Sequence, residues 1–315
     1  MEDKVKVGVF GVGSLGQWHA RIYSELDTVD LVGVHDIAPG RAAEIADRYG
    51  TKAFENIDDL AGQINAASVV VPTDKHFELF NSLSEHKLHI LMEKPISVRT
   101  GEAEQMVKTA QDNDLLLQVG HVERFNPVMQ FLEKKLSVPR FIEATRLAEY
   151  PAPRDGLPPR GAEVSVVLDL MIHDLEIILH IVRSPLRSIN ATGVSVLSPT
   201  EDIANVRLCF ENGCVANVTA SRISQECLRK IRVFQDDLYL SLDYMNQAGQ
   251  LCRKTKNGIE VESVPIEKGD ALTEELKSFV ECVRHHHDPL VTGEHGSDAL
   301  KLAVEICRRI QEDPS

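Results

Sequence analysis

Three groups of residues in this 315-residue chain have the type and spacing to do chemistry. The first is Gly11-Val12-Gly13-Ser14-Leu15-Gly16, placed between a β-branched run ending at Phe10 and a helical pattern. In that setting Gly11 permits a tight turn, Gly13 lets the backbone approach a pyrophosphate, and Gly16 lets helix and strand pack closely, with the helix N-terminus facing the anion. Asp36 lies about 20 residues further on, where an acid accepts hydrogen bonds from ribose hydroxyls and repels a 2′-phosphate. The cofactor expected there is NAD rather than NADP, a preference tempered by Arg41; the alternative role for Asp36 is to cap a helix starting near Pro39. The second group is Glu93-Lys94-Pro95, directly after the apolar run LHILM. A lysine at that place can hydrogen-bond a substrate hydroxyl and, with a lowered pKa, exchange a proton with it. The third is Asp169 with His173, four residues apart in an apolar helical pattern over 165–182. At that spacing both project from one helical face, and a carboxylate beside an imidazole orients it and raises its basicity. A histidine on an apolar helix is more often a core residue than a catalyst, but the paired acid and a preceding loop shift the balance toward chemistry.

These residues need elements to hold them. From Lys4 to Val119 short β-branched runs (KVKVGVF, DLVGVHD, AASVVVP, LHILME, LLLQVG) alternate with helical patterns over 39–49, 75–86 and 100–113, the last opened by Thr100 as a cap. Val69-Val70-Val71 is apolar at every position, as a strand covered on both faces must be. The expected fold is therefore an α/β doubly wound parallel sheet of the Rossmann kind. Ligands of such sheets sit beyond the carboxyl ends of the strands, which also brings Pro72, Thr73 and, less directly, His76 to the cleft. After about residue 122 the rhythm changes. A helix near 127–136, a strand over 140–150 and a Pro- and Gly-rich loop over 151–163 precede the 165–182 helix. Segments 188–197, 203–211, 214–223, 229–236, 238–243 and 259–264 then read as a largely antiparallel open sheet, with turns at Glu211-Asn212-Gly213 and Lys256-Asn257-Gly258. Two helices, about 272–286 capped by Thr273 and 295–311, close an α+β second domain. The expected division is 1–122 for the cofactor and 123–315 for substrate and oligomerisation. An open sheet calls for cover, so a homodimer or homotetramer is expected.

In this order and spacing, Gly11 to Gly16, Glu93-Lys94-Pro95 and Asp169-x-x-x-His173 resemble the Gfo/Idh/MocA oxidoreductases over nearly the whole chain. The resemblance implies an NAD-dependent sugar or polyol dehydrogenase in which Lys94, Asp169 and His173 are catalytic, Lys94 or His173 being the acid/base at the oxidised hydroxyl. One departure is visible: many members have a glycine-rich run before the aspartate helix, whereas here it reads Gly161-Ala162-Glu163-Val164-Ser165. Gly120-His121-Val122-Glu123-Arg124-Phe125-Asn126-Pro127 is similar to a segment of the nucleotide-sugar members, notably UDP-N-acetylglucosamine 3-dehydrogenases. That implies oxidation at C3 of a UDP-sugar. His121, Arg124 and Asn126 are the candidate contacts, joined by Arg154 and Arg160 from the 151–163 loop, since guanidinium groups can neutralise a diphosphate. The plainer reading of Arg124 is a hinge residue paired with a carboxylate. Alternatives are oxidation of a free sugar, a polyol or a UDP-hexuronic acid. A regulator that senses the dinucleotide without turnover has no need of Lys94 and His173 together.

Composition excludes other classes. A net charge of -14 opposes attraction to nucleic acid or anionic lipid. The N-terminus lacks a basic n-region and long apolar stretch, so it reads as mature, and no run of about 18 apolar residues exists to span a membrane. Cys209, Cys214, Cys227, Cys252, Cys282 and Cys307 show no CxxC spacing and read as free thiols of a reducing, cytoplasmic setting. His285-His286-His287 cannot share a helical face, so no metal is expected.

Overall fold

The computed structural model describes residues 4–152, 161 and 163–312. Strands β1 (Val5–Phe10), β2 (Val29–His35), β3 (Lys52–Phe54), β4 (Ala66–Val69), β5 (His89–Glu93) and β6 (Leu117–Gly120) line up in the order β3-β2-β1-β4-β5-β6. Every pairing among them is parallel. Helices α1 (Gly16–Glu25), α2 (Pro39–Tyr49), α3 (Ile57–Ala61), α4 (His76–Glu85) and α5 (Thr100–Asp112) connect them. All four residues of β4 are buried, which is what helices on both faces of a sheet require. Local signals set the helix ends: α2 starts on Pro39 and stops at Gly50, whose φ of 67° closes the turn without a Cβ penalty. The strand order reverses between β1 and β4, the point at which such sheets open a ligand crevice.

The second sheet contains β7 (Phe141–Leu147), β8 (Leu186–Val194), β9 (Ile203–Phe210), β10 (Val215–Ser221), β11 (Leu228–Phe234), β12 (Leu238–Asp243), β13 (Ala248–Thr255) and β14 (Gly258–Val264). Their order is β14-β13-β12-β11-β7-β10-β9-β8. All neighbours are antiparallel except β7 and β10, which run parallel. Helices α6 (Pro127–Lys135) and α7 (Ile172–Val182) belong with it, and α8 (Ala271–His285) and α9 (Gly293–Glu312) end the chain. Alternating residues such as Ile142, Ala144, Ala216 and Val218 bury one face against Ile172, Leu175 and Ile178 of α7. The opposite face carries polar pairs: Asn205 donates to Thr219 at 2.8 Å, Arg207 to Asn217 at 3.1 Å and Arg232 to Glu143 at 3.1 Å.

Several expectations change in detail. The chain forms two compact units, Met1–Val122 with Asp270–Ser297, and Glu123–Gly269 with Asp298–Ser315. The segment after Asp270 thus joins the first unit, because Leu276, Phe279, Val280 and Val283 of α8 bury against a core that includes Val7, Ile22 and Tyr23. The expected 165–182 helix is not uniform. Val167–Met171 is a π turn that leads into α7. Thr100 and Thr273 lie inside their helices, preceded by Arg99 and Asp270, and Thr273 instead donates to the Asp270 carboxylate at 2.5 Å. Strand β13 was not expected; its sequence AGQLCRKT carries little apolar alternation, and it is held by ladders on both sides. Among the described residues no helix is long and apolar enough to cross a membrane.

Candidate active site

The carboxyl ends of β1, β2, β4 and β5 bring Gly11 to Gly16, Asp36, Pro72, Thr73, Glu93 and Lys94 to one edge of the first sheet. Gly11 has φ 85°, and a Cβ there would lie 2.6 Å from the Val70 carbonyl oxygen; one on Gly16 would lie 1.9 Å from that of Gly11. The turn itself therefore demands both glycines. Gly13 is different, since a Cβ on it would meet nothing within 4 Å. It is exposed with Ser14 at the tip of the loop, where close approach by a ligand is the remaining reason for glycine. Helix α1 has no side-chain cap and no acid in its first turn. A bare helix N-terminus behind an open glycine suits a pyrophosphate, so the residues fit a dinucleotide.

Asp36 fixes this loop. Its Oδ2 accepts the Val12 N–H at 2.8 Å and its Oδ1 that of Ala38 at 2.9 Å, leaving lone pairs on both oxygens for a ribose. Arg41 was expected only as a complication for cofactor choice. Its Nε donates to the Val12 carbonyl at 2.8 Å and its Nη1 to Glu44 at 2.8 Å, so it grips the other end of the same residue.

Glu93 turns inward rather than toward a ligand. Its Oε2 accepts the backbone N–H of Lys94 at 3.2 Å, and its Oε1 lies 3.5 Å from His19 Nε2. His19 Nδ1 is in turn 2.7 Å from Ser68 Oγ. Gly120 makes room, because a Cβ there would come within 3.0 Å of the Glu93 carboxylate. Glu93 therefore supports half-buried Lys94. Glu275 is fully buried, and among the described residues neither carboxylate oxygen has a hydrogen-bond partner. Burial, reinforced by the charge of Glu93, pushes its pKa well above the ordinary range. That direction favours its protonated, neutral form.

His76 is also corrected. Its Nε2 is 3.0 Å from the Val71 carbonyl oxygen and its Nδ1 3.0 Å from that of Pro95, and it is 1% exposed. Burial lowers its pKa, against those carbonyls and the charge of Glu93, so the ring is a structural tie between the turns after β4 and β5.

In the second unit Asp169 sits in the π turn and His173 in the first turn of α7, both half-buried. Turns of the π kind occur frequently at functional sites. Asp174 points inward, bound by Arg146 through Nε at 2.8 Å and Nη2 at 3.2 Å. Arg146 also donates to Glu123 at 3.0 Å.

Two expected substrate contacts are engaged internally. The Arg124 side chain is 0% exposed, and its Nη1 lies 2.7 Å from Glu176 Oε1, with Nη2 3.1 Å from His180 Nε2. Asn126 caps α6 by accepting the Val128 N–H at 3.1 Å and donates to Glu123 at 3.2 Å and to the Tyr244 carbonyl at 3.1 Å. The physical reason is the same for both: buried polar groups call for partners, and the two terminal nitrogens of Arg124 and the amide of Asn126 find theirs within their own unit. His121 is buried at 1% exposure. Arg154 and Arg160 lie outside the described residues.

Residues 5–121 match the model of an oxidoreductase family with an NAD-binding Rossmann fold, and residues 133–237 match the Gfo/Idh/MocA C-terminal domain. The chain belongs to the Gfo/Idh/MocA oxidoreductase family. It is accordingly an NAD-dependent oxidoreductase. It is 33% identical over 309 residues, 96% of each chain, to a UDP-N-acetylglucosamine 3-dehydrogenase of Acidithiobacillus ferrooxidans. A solved structure of that name from the same organism superposes with a TM-score of 0.91 over 98% of each chain at 32% identity. A myo-inositol 2-dehydrogenase of Thermotoga maritima is 26% identical over 99% of this chain and 98% of its own. Both relatives are dehydrogenases of cyclic alcohols. For this Gfo/Idh/MocA protein the sequence motifs and family agree, while the support behind them, His19, Ser68, Arg41 and Glu275, carried no local signal because each acts on a residue distant in the chain.

Proposed function

We propose that the protein oxidises the C3 hydroxyl of UDP-N-acetylglucosamine to the 3-ketone. The observation that carries this reading is the 33% identity maintained over 96% of both chains with an enzyme of that name, against 26% for the inositol enzyme. Bound NAD supplies the hydride acceptor. The chain's own task is then to orient the alcohol and take its proton. Lys94, at the end of β5 and braced by Glu93, and His173, on α7 after Asp169, are the groups for that task. One of the two would take the proton, and the other would hydrogen-bond the alcohol oxygen. Arg124 and Asn126 are withdrawn as diphosphate and sugar contacts, which leaves Arg154 and Arg160 for the diphosphate. A homodimer or homotetramer is part of the proposal and is read directly from sedimentation; a monomer would remove it.

The test is NADH formation from UDP-N-acetylglucosamine against UDP-glucuronic acid, glucose and myo-inositol at matched concentrations. Turnover of UDP-N-acetylglucosamine well above the others is expected. Turnover of myo-inositol alone would move the assignment to the polyol enzymes, and no turnover of any would favour a dinucleotide-sensing protein. Lys94→Met and His173→Ala should each bind NAD normally and lose about 100-fold to 10,000-fold in kcat; near-normal kcat in either removes that residue from the chemistry.

A further inference from the structure

Arg222, directly after β10, is 1% exposed and uses all its donor groups. Its Nε donates to Asp202 Oδ1 at 2.8 Å, Nη1 to the carbonyls of Gly161 at 2.6 Å and Val164 at 2.7 Å, and Nη2 to Ser198 Oγ at 2.7 Å and Thr200 Oγ1 at 3.0 Å. Asp202, fully buried, is itself fixed by the N–H groups of Val196 at 2.8 Å, Leu197 at 2.6 Å and Ser198 at 3.0 Å. Burial alone would raise the Asp202 pKa. The Ser198 hydroxyl, the Arg222 guanidinium and those N–H groups outweigh it and hold the carboxyl well below its usual range. A buried ion pair is a poor way to gain stability, since well-packed apolar residues commonly do as well. What only a rigid, planar fork supplies is geometry at several acceptors at once.

The acceptors it fixes lie next to Asp169. Gly161 has φ 81°, and a Cβ on it would fall 2.5 Å from Asp169 Oδ2 and 3.1 Å from Cγ. The Asp169 carboxylate thus rests against the bare Cα of Gly161, whose carbonyl Arg222 holds. From Val164 the chain passes to Ser165, whose carbonyl accepts the Asp169 N–H at 3.1 Å and whose Oγ accepts that of Val167 at 3.2 Å. Backbone and side chain of Asp169 are therefore referenced to one segment, and that segment to one guanidinium. We infer that Arg222 and Gly161 are positioning residues that set the Asp169 carboxylate for its work with His173. Gly161 supplies the seat and Arg222 fixes it in place. This rests on the assignment of Asp169 to the active site made above.

The experiment is a set of double-mutant cycles read as kcat and KM for NADH formation with UDP-N-acetylglucosamine, alongside NAD affinity. Gly161→Ala and Arg222→Met should each lower kcat by roughly 100-fold, the scale of an ångström misplacement, and leave NAD affinity unchanged. In an Asp169→Ala background neither should lower kcat further, because the carboxylate they position is gone; simple loss of stability would add instead. Gly213→Ala controls for backbone strain: Gly213 also has a left-handed φ, 85°, but a Cβ there would meet nothing within 4 Å, so its kcat should not move. Should Arg222→Met not fold, the Gly161→Ala cycle decides alone. Full additivity with Asp169→Ala, or normal kcat in Gly161→Ala, overturns the inference while leaving Asp169 in the site. Normal kcat in Asp169→Ala overturns the assignment of Asp169 itself, and the inference with it.

Discussion

Replacing Arg124 by methionine tests whether that guanidinium serves the fold or a substrate phosphate. The Arg124 and Glu176 side chains are 0% and 2% exposed and approach to 2.7 Å. Breaking a buried pair by removing one partner costs about 3–5 kcal/mol, or roughly 6–20 °C in Tm at the 2–4 °C per kcal/mol of chains this size. The cost should depend on pH, and its sign follows from Glu176. Burial, opposed by Arg124, raises Glu176 from 4.5 to about 7. Its folded pKa is thus above the unfolded one, so wild-type stability from this group declines as pH rises from the unfolded value and levels off near 7. Without Arg124 the folded pKa rises further, and the decline continues to higher pH. The penalty of Arg124→Met therefore grows above about pH 7, by up to about 1.4 kcal/mol per pH unit. Arg124→Met with Glu176→Leu should recover most of the loss, because no unpaired charge is left buried. Thermal melts followed by far-UV circular dichroism read this; the single tryptophan, Trp18, lies in the other unit and would miss it. A variant with unchanged Tm and weakened UDP-sugar binding would refute the argument and return Arg124 to the substrate.

Asp36→Asn should reduce the preference for NAD over NADP by about tenfold or more, the size of one charged hydrogen bond, as measured by calorimetry; unchanged selectivity would leave Asp36 as a brace for Val12 and Ala38 alone. Glu275→Gln should flatten the pH dependence of stability. The native protein keeps a proton that the unfolded chain releases above 4.5, so wild-type stability falls with rising pH and the variant gains on it by up to about 1.4 kcal/mol per unit. Urea unfolding followed by Trp18 fluorescence reads the slope; equal slopes for the two proteins would show that Glu275 is ionised.

The parts of the fold and site that were legible are those whose residues answer to their neighbours in sequence. Gly11 and Gly16 must be glycine because a turn between adjacent elements leaves no space for a Cβ, and that need shows as a spacing. The fully buried β4 and the alternating β7 reveal which sheets are covered on one face or two. Where the determinant is distant the reading failed. The chain assigns α8 to the first unit only through contacts with β1 and α1, and β13 exists because its two neighbours pair with it.

Arginine shows the same limit in its chemistry. A chain of net charge -14 with arginines near an expected cleft invites a phosphate, but the net charge says nothing about pairing. Arg124 with Glu176, Arg146 with Asp174 and Arg222 with Asp202 are buried ion pairs, and removing neutral pairs from the count leaves -14 unchanged. What separates a structural arginine from a binding one is whether its donors are already used. Arg222 has five bonds to two stretches of chain, and none of those acceptors lies next to it in sequence. A phosphate could displace such partners only by leaving Asp202 or Glu176 buried and unpaired, a cost of several kcal/mol that exceeds the 1.5–3 kcal/mol of a typical charged hydrogen bond. The diphosphate of a UDP-sugar must therefore be met by groups that the fold does not already employ.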